Sequence, residues 1–378
     1  MATSPSDASY RKAWLDECRG VAVAGMILVN NPGSWADVYW PLAHAGWHGW
    51  TPADLIFPLF LFIVGVSIVF ALSRRIGAGK PTLGVYVAVL RRTAIIFVLG
   101  AMLAGVPAFD VSTIRLTGVL QRIAICYLFA SIIFLLTGWR GQTLTTLALI
   151  ASYFGLMRFL SAPGHQAGCM SKDCSITAYI DRAILGRHIG GDGYDPEGLL
   201  STIPALATTL CGVLAGQWLQ SPGGARKKLL GMFVAGLCAV TAALIWNVWL
   251  PINKPLWTSS YVLLTAGTAL LLLGLLYALA EAKQLGWWTR PFQILGASAL
   301  AAFLLSELIT RTMTAQAWWN LPNADGRSGA HLQAFLYERL FISWAEPKLA
   351  SLLYALAYLS IILLVFGLLY RSRIRLRL

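Results

Sequence analysis

Hydrophobic residues along this chain fall in long, nearly uninterrupted runs, separated by short polar stretches. Runs of roughly 20 residues match the thickness of a bilayer's hydrocarbon layer when wound as helices. About ten occur, near 15–31, 52–73, 84–104, 116–136, 142–160, 199–219, 228–248, 258–280, 292–312 and 349–370. A helix satisfies its own backbone hydrogen bonds in lipid. The pattern therefore predicts an all-α polytopic membrane protein of about ten transmembrane helices. The opening "MATSPSDASYRKAWLDECRG" lacks a signal-peptide layout, so the first run is expected to stay as a membrane helix. Ten spans would put both termini on one side.

Composition agrees. The chain has 378 residues, 57% hydrophobic and 12% charged, with a mean hydropathy of +0.67. A soluble domain carries about 25% charged residues. Most of the 29 Lys and Arg residues lie at the termini and in the loops after spans 2, 4, 6 and 8. "SRRIGAGK", "ARKK" and the tail "RSRIRLRL" dominate, which assigns that face and both termini to the cytoplasm of an inner or plasma membrane. The net charge of +13 thus reflects topology. It does not suggest a nucleic-acid partner, because the bases are spread over short loops.

No repeat interrupts residues 1–378, which read as a single membrane domain. Two outer loops, about 161–198 and 313–348, are long enough to suggest function. Their aromatics and turn signals ("GGDGYDPEG", "LPNADGRSG") predict order. "HLQAFLYERLFISW" spaces Leu332, Phe335, Leu336, Leu340 and Phe341 on one helical face suited to the outer interface. Cys169 and Cys174 share an outer loop, where a disulfide is permitted. A metal site with His165 is the weaker alternative, and no metal is expected.

All five histidines lie in outer loops. The segment "HAGWHGWTPADLIFPLFLFIVG" sets His44, His48, Trp47, Trp50 and Asp54 at the mouth of an apolar span. "TPAD" also reads as a helix start, with Thr51 as N-cap, Pro52 at N1 and Asp54 at N3. Asp54 can cap the helix and orient an imidazole. Arg122, preceded by Gln121, is an intramembrane charge, which normally faces a bundle interior or wet cavity; a structural pair with a carboxylate such as Glu307 is the alternative. Glu307 and Arg311 stand one helical turn apart, suited to a local ion pair. Asn30 and Asn31 end span 1; an amide there can donate to an oxyanion. Lys254, Trp257, Ser260 and Tyr261 cluster before span 8, and Asp195 and Glu197 before span 6.

Together "DECRGVAVAGMILVNNPGSW", "HAGWHGWTPADLIFPLFLFIVG", "LQRIAICYLF", "GYDPEGLLSTIPA" and "INKPLWTSSYVLLTAG" resemble the heparan-α-glucosaminide N-acetyltransferase family. The family includes a lysosomal enzyme and bacterial relatives. The resemblance runs over nearly the whole chain; a large N-terminal luminal part and an extra span of the lysosomal enzyme have no counterpart in it. It implies transfer of an acetyl group from cytoplasmic acetyl-coenzyme A to the amino group of a glucosamine-type sugar across the membrane. It implies a catalytic histidine at His44, where "HAGW" matches an "HASW"-type motif. It further implies Asn30 for the family's asparagine and Asp54 for its aspartate, and a homodimer.

On that reading His44 removes the amine proton, Asp54 holds its tautomer and Asn30 steadies the oxyanion. Trp47, His48, Trp50, Glu197, Lys254, Trp257, Ser260 and Tyr261 are candidates for the sugar. Arg19, Arg74, Arg75, Arg91, Arg92, Gln121 and Arg122 are candidates for the coenzyme. A ternary complex is preferred over an acetyl-histidine, which would be labile beside water. The rival readings are a transporter of N-acetylglucosamine or a related sugar, an acyltransferase with another donor or acceptor, and a membrane scaffold. Transport is disfavoured because no inverted repeat is seen.

Overall fold

The computed structural model describes residues 5–77, 79–190, 193–282, 286–316, 318–322 and 328–372. The tail beyond 372, used above for topology, lies outside the described residues. So do 191–192 and 323–327, within the two expected turns. Helices dominate: α1 (Pro5–Asn30), α2 (Ile56–Ile76), α3 (Leu83–Gly105), α4 (Val119–Leu136), α5 (Trp139–Phe159), the short α6 (Ile176–Leu185), α7 (Thr202–Gln220), α8 (Ala225–Trp246) and α9 (Ser259–Glu281). Then come α10 (Arg290–Ala297), α11 (Ala299–Thr314), α12 (Leu332–Tyr337) and α13 (Pro347–Arg371). A two-stranded antiparallel hairpin, β1 (Leu321–Pro322) with β2 (Ser328–Ala330), sits between α11 and α12.

Among the described residues seven helices are long and apolar enough to cross a membrane, or eight if α10 and α11 form one bent span. The expected ten are not all met by that measure. α1 and α5 are 26 and 21 residues long, enough to cross at about 1.5 Å per residue. Composition holds them back. Asp16, Glu17 and Arg19 interrupt α1, while Arg140, Gln142 and three threonines lead α5. α1 accommodates its charges by pairing them: Glu17 is buried and accepts a hydrogen bond from Gln293 of α10, and Arg19 meets Asp16 at 2.6 Å.

The bundle has a centre and a rim. In α2 and α7, 61% of the spanning window is buried, against 22%, 17% and 28% in α3, α8 and α13. The rim helices therefore present apolar side chains such as Val87, Leu90, Leu237 and Leu364 outward, as a lipid-facing surface requires. At the centre, small residues let backbones touch. A Cβ at Gly65 would stand 1.9 Å from the Thr209 carbonyl, and one at Gly212 equally close to the Phe62 carbonyl. α2 and α7 thus pack without side chains between them, as small residues allow in membranes.

α10 and α11 bend by 78° at Ser298, whose backbone leaves the helical region. The apolar run 292–312 predicts a single span here. α10 is pressed against α1 just before the bend: a Cβ at Gly296 would stand 1.7 Å from the Asp16 carbonyl. α11 departs from that contact and runs past the end of α1.

Both long loops, about 161–198 and 313–348, carry regular structure where described. The first carries α6, N-capped by the Ser175 hydroxyl, and the Cys169–Cys174 disulfide. The second carries the hairpin, α12 and a π-helical turn over Glu338–Ile342, so the expected amphipathic helix exists but widens midway.

Candidate active site

A cavity of about 380 Å³ opens near the Asn30 end of α1 and the start of α2. Its focus is Asp54. The chain enters α2 through a 3₁₀ turn, Pro52–Leu55, with Pro52 in its first turn. Asp54 reaches back so that its Oδ2 accepts the Thr51 N–H at 3.0 Å, the capping role read from "TPAD". The same oxygen accepts the Ala45 N–H at 3.0 Å. The other oxygen, Oδ1, lies 2.8 Å from His44 Nδ1 and 3.2 Å from Lys254 Nζ. Asp54 is 1% exposed. A buried carboxylate is tolerable only with such a set of donors. Capping and imidazole binding therefore occur together, one on each carboxylate oxygen. The His44 side chain, 34% exposed, faces the cavity.

Lys254 arrives on the loop between α8 and α9. Asn253 fixes that loop: its Nδ2 donates to the Trp47 carbonyl at 2.8 Å and its Oδ1 accepts the Leu256 N–H at 2.7 Å. The Gly49 N–H donates to the Ile252 carbonyl at 2.8 Å. Burial lowers the Lys254 ammonium below its ordinary value, and Asp54 opposes the shift. Trp257 adopts a φ of +52°, a conformation costly for a bulky side chain. Its indole N–H donates to Thr208 at 3.2 Å, and the ring walls the cavity.

A second polar cluster forms the opposite wall. Arg115, in the loop between α3 and α4, grips Asp195 through both nitrogens and meets Glu197. Thr117 and the Gly190 N–H also donate to Asp195. Burial alone would raise the Asp195 carboxyl, but Arg115 and Thr117 outweigh it and hold the group low. Asn30 Nδ2 donates to Glu307 Oε1 at 3.3 Å, and Arg311 follows one turn later on the same wall.

At the other end of the bundle lies a larger cavity of about 1000 Å³. Arg19, Arg74, Arg75, Arg91 and Arg92 all line it, with Lys228. Arg19 donates to Ser67 at 3.1 Å, and Arg92 lies over the Tyr127 ring at 4.9 Å. The two cavities share α1, α2, α3, α4 and α11 as walls. Along α2 the outer lining ends at Phe57 and the basic lining begins at Phe60, a rise of about 5 Å. Along α11 the step from Phe303 to Leu300 is equally short. Along α1 and α4 the linings stand further apart, from Arg19 to Met26 and from Gln121 to Tyr127, about 9–10 Å.

Residues 11–251 match the catalytic profile of the heparan-alpha-glucosaminide N-acetyltransferase family. The chain belongs to this family. It is 26% identical over 386 residues to the heparan-alpha-glucosaminide N-acetyltransferase of Mus musculus, covering 87% of this chain and 58% of the relative. It is 28% identical over 353 residues to that of Homo sapiens, covering 78% of this chain and 52% of the relative. The chain thus spans just over half the length of these curated relatives. The family match ends at 251, just short of Lys254, Trp257 and α11, which complete the outer cavity.

The structure divides the expected site residues into groups. Asn30, His44, Asp54, Glu197, Lys254 and Trp257 share the outer cavity. Gln121 joins them there, away from the arginines with which it was grouped. Arg122 lines neither cavity. It is buried behind Trp257, 4.9 Å from its ring, with Nη2 on the Gly198 carbonyl and Ser201 rather than on Glu307. Ser260 and Tyr261 are fully buried; the Tyr261 hydroxyl donates to the Asp54 carbonyl and braces the first turn before α2.

Trp47, His48 and Trp50 sit on the loop above. The Trp47 indole donates to the Met170 carbonyl at 2.8 Å, His48 contacts Asn253 at 3.3 Å, and Trp50 is 37% exposed. Burial lowers His48 below the usual imidazole value. Sequence reasoning passed over Arg115, Thr117 and Asn253. Nothing in "TIRLTG" distinguishes Arg115 from an ordinary loop cation. Asn253 had one signal, its place between two prolines beside Lys254.

Proposed function

We propose that the protein is a membrane N-acetyltransferase that moves an acetyl group from acetyl-coenzyme A, bound at the basic cavity, to the amino group of a glucosamine-type sugar in the outer cavity. The basic end faces the cytoplasm, where the donor is made, and the His44 end faces outward. Family membership supports the reaction class. The observation that carries the reading is the His44–Asp54–Lys254 cluster set across a shared wall from a cavity lined by five arginines. Guanidinium groups suit the donor's phosphates. At α2 and α11 a slender thioester arm then has about one helical turn of wall to cross. The exposed apolar faces of α3, α8 and α13 are available to lipid or to a second copy in a homodimer.

In the reaction the sugar nitrogen attacks the thioester carbonyl. His44, bonded to Asp54 through Nδ1, takes the amine proton at Nε2. The oxyanion lies beside the Asn30 amide, whose second N–H remains for it. The C–N bond forms, the C–S bond breaks, and the thiolate leaves with the proton returned by His44. A ternary complex of donor and acceptor needs no acetylated enzyme.

The test is to incubate purified protein with labelled acetyl-coenzyme A and glucosamine. Label should enter the sugar with the unmodified protein and fall by at least a hundredfold with His44→Ala. Sugar flux into vesicles without acetylation would replace this reading by the transporter. Trapped acetyl-enzyme in the absence of sugar would replace the ternary route.

A further inference from the structure

His44 Nδ1 has two neighbours within hydrogen-bond reach: Asp54 Oδ1 at 2.8 Å and Lys254 Nζ at 3.1 Å. Lys254 Nζ is itself 3.2 Å from the same carboxylate oxygen. The three atoms close a triangle. A neutral ring nitrogen carries either a hydrogen or a lone pair. If Nδ1 donates to Asp54, Nε2 keeps its lone pair and can accept a proton. If Nδ1 accepts from the ammonium, Nε2 carries the hydrogen and cannot act as a base. The Asp54 carboxylate already accepts two backbone N–H groups on Oδ2, so Oδ1 remains an acceptor for the ring. The ammonium is satisfied on that oxygen as well. Its charge then stands beside the ring without owning its lone pair.

The two neighbours act oppositely on a protonated ring: a carboxylate favours it and an ammonium disfavours it. We propose that Lys254 is a positioning residue for His44: held on Asp54 Oδ1, its ammonium balances the carboxylate beside the ring and leaves Nε2 as the basic nitrogen. The proposal rests on the acetyl-transfer reading of this site. It gives Lys254 a role on the histidine rather than on the sugar. Other charged groups face the same cavity: Arg115 and Glu197 from the loops before α4 and α7, and Glu307 and Arg311 from α11. Asp195 lies behind Arg115, and His48 lies on the Asn253 side. Among the described residues only Asp54 and Lys254 stand within hydrogen-bond reach of the His44 ring.

The test reads the ring directly. Diethyl pyrocarbonate modifies neutral imidazole, so the rate at His44, followed by peptide mass spectrometry against pH, gives its titration midpoint without needing activity. Removing the ammonium leaves Asp54 unopposed, which raises the midpoint. Lys254→Met should shift it upward by about one unit or more, and Lys254→Arg should restore it. Lys254→Gln repeats the measurement if the methionine variant does not fold. In parallel, the acid limb of kcat/KM for acetyl transfer should move up by the same amount.

An unmoved midpoint in both neutral variants, with a raised sugar KM, assigns Lys254 to the sugar and overturns the proposal. A shifted midpoint in a protein that transfers no acetyl group overturns the transfer reading and leaves the triangle intact.

Discussion

The guanidinium of Arg122 lies over the ring of Trp257, 4.9 Å from its centroid, deep behind the outer cavity. Its Nη2 also holds the Gly198 carbonyl and Ser201, at the start of α7. One buried side chain therefore ties three pieces together: α4, the loop that carries Lys254, and the entry to α7. Trp257 has a left-handed backbone at this contact. Arg122→Ala should remove the stacking and leave a void where the side chain was. A loss of about 2–4 kcal/mol is expected for such a truncation. Thermal unfolding in detergent measures it, and an unchanged transition would show that Arg122 does not support the wall.

Asp181 gives a pH test of the same region. It is buried on α6, and its Oδ1 accepts the Leu199 N–H at 2.8 Å. Burial raises its carboxyl from an ordinary 3.8 to about 6. The folded value lies above the unfolded one, so the unfolded chain ionises first as pH rises. Stability is then full below about pH 4 and is lost between about pH 4 and pH 6, up to about 3 kcal/mol in all. Asp181→Asn keeps the acceptor without the charge. Relative to the unmodified protein, the variant should gain up to about that amount between about pH 4 and pH 7. A difference that stays constant with pH would mean Asp181 titrates normally.

The Cys169–Cys174 disulfide has a testable link to the loop that carries His44. Cys169 and Cys174 close the short loop whose Met170 carbonyl accepts the Trp47 indole N–H. Lys172, in the same loop, lies over the Trp47 ring at 5.6 Å. Trp47 is three residues from His44. Opening the loop with Cys169→Ser and Cys174→Ser should cost the order of one hydrogen bond, about 1 kcal/mol. That corresponds to a several-fold rise in sugar KM with donor KM unchanged. Equal effects on both constants would detach the disulfide from the acceptor side.

Much of this arrangement was legible in the chain, and its limits have physical causes. His44 and Asp54 are ten positions apart and joined by a helix-start pattern, so local chemistry brings them together. The apolar runs fixed most helices because backbone hydrogen bonding in lipid leaves few choices. Asn30 and Glu307 are 277 positions apart, and Arg115 and Asp195 are 80 apart. Such pairings depend on how helices pack, which periodicity does not encode. The bend at Ser298 was hidden for the same reason. It accompanies a backbone contact between α10 and α1, and "LGASAL" alone reads as an apolar helix. Arg122 was recognised as inward-facing, but only packing decides that it serves Trp257 and not the arginine cavity.

The Asn30 amide separates the oxyanion role from simple helix termination. One N–H donates to Glu307, which aims the amide into the cavity. Asn30→Ala removes the donor without adding charge. If the amide serves the oxyanion, kcat should fall by about 10²–10³ with both KM values little changed. Glu307→Gln keeps an acceptor oxygen for the amide and should cost far less. A rise confined to KM, or equal losses in the two variants, would move Asn30 from the transition state to the ground state.

The wall between the cavities makes the strongest demand on the transfer reading. Leu300 lines the basic cavity, Phe303 lines the outer one, and both stand on α11 within one turn. On the transfer reading, the shortest wall for a donor arm to cross is the one these residues and the Phe57–Phe60 stretch of α2 line. Leu300→Trp adds bulk at that point, at an overpacking cost of about 1–3 kcal/mol. The protein should remain folded and still bind donor at its basic end. Acetyl transfer should drop by at least tenfold while donor affinity, read by calorimetry, changes little. Undiminished transfer would mean that donor and acceptor meet by some path other than this wall.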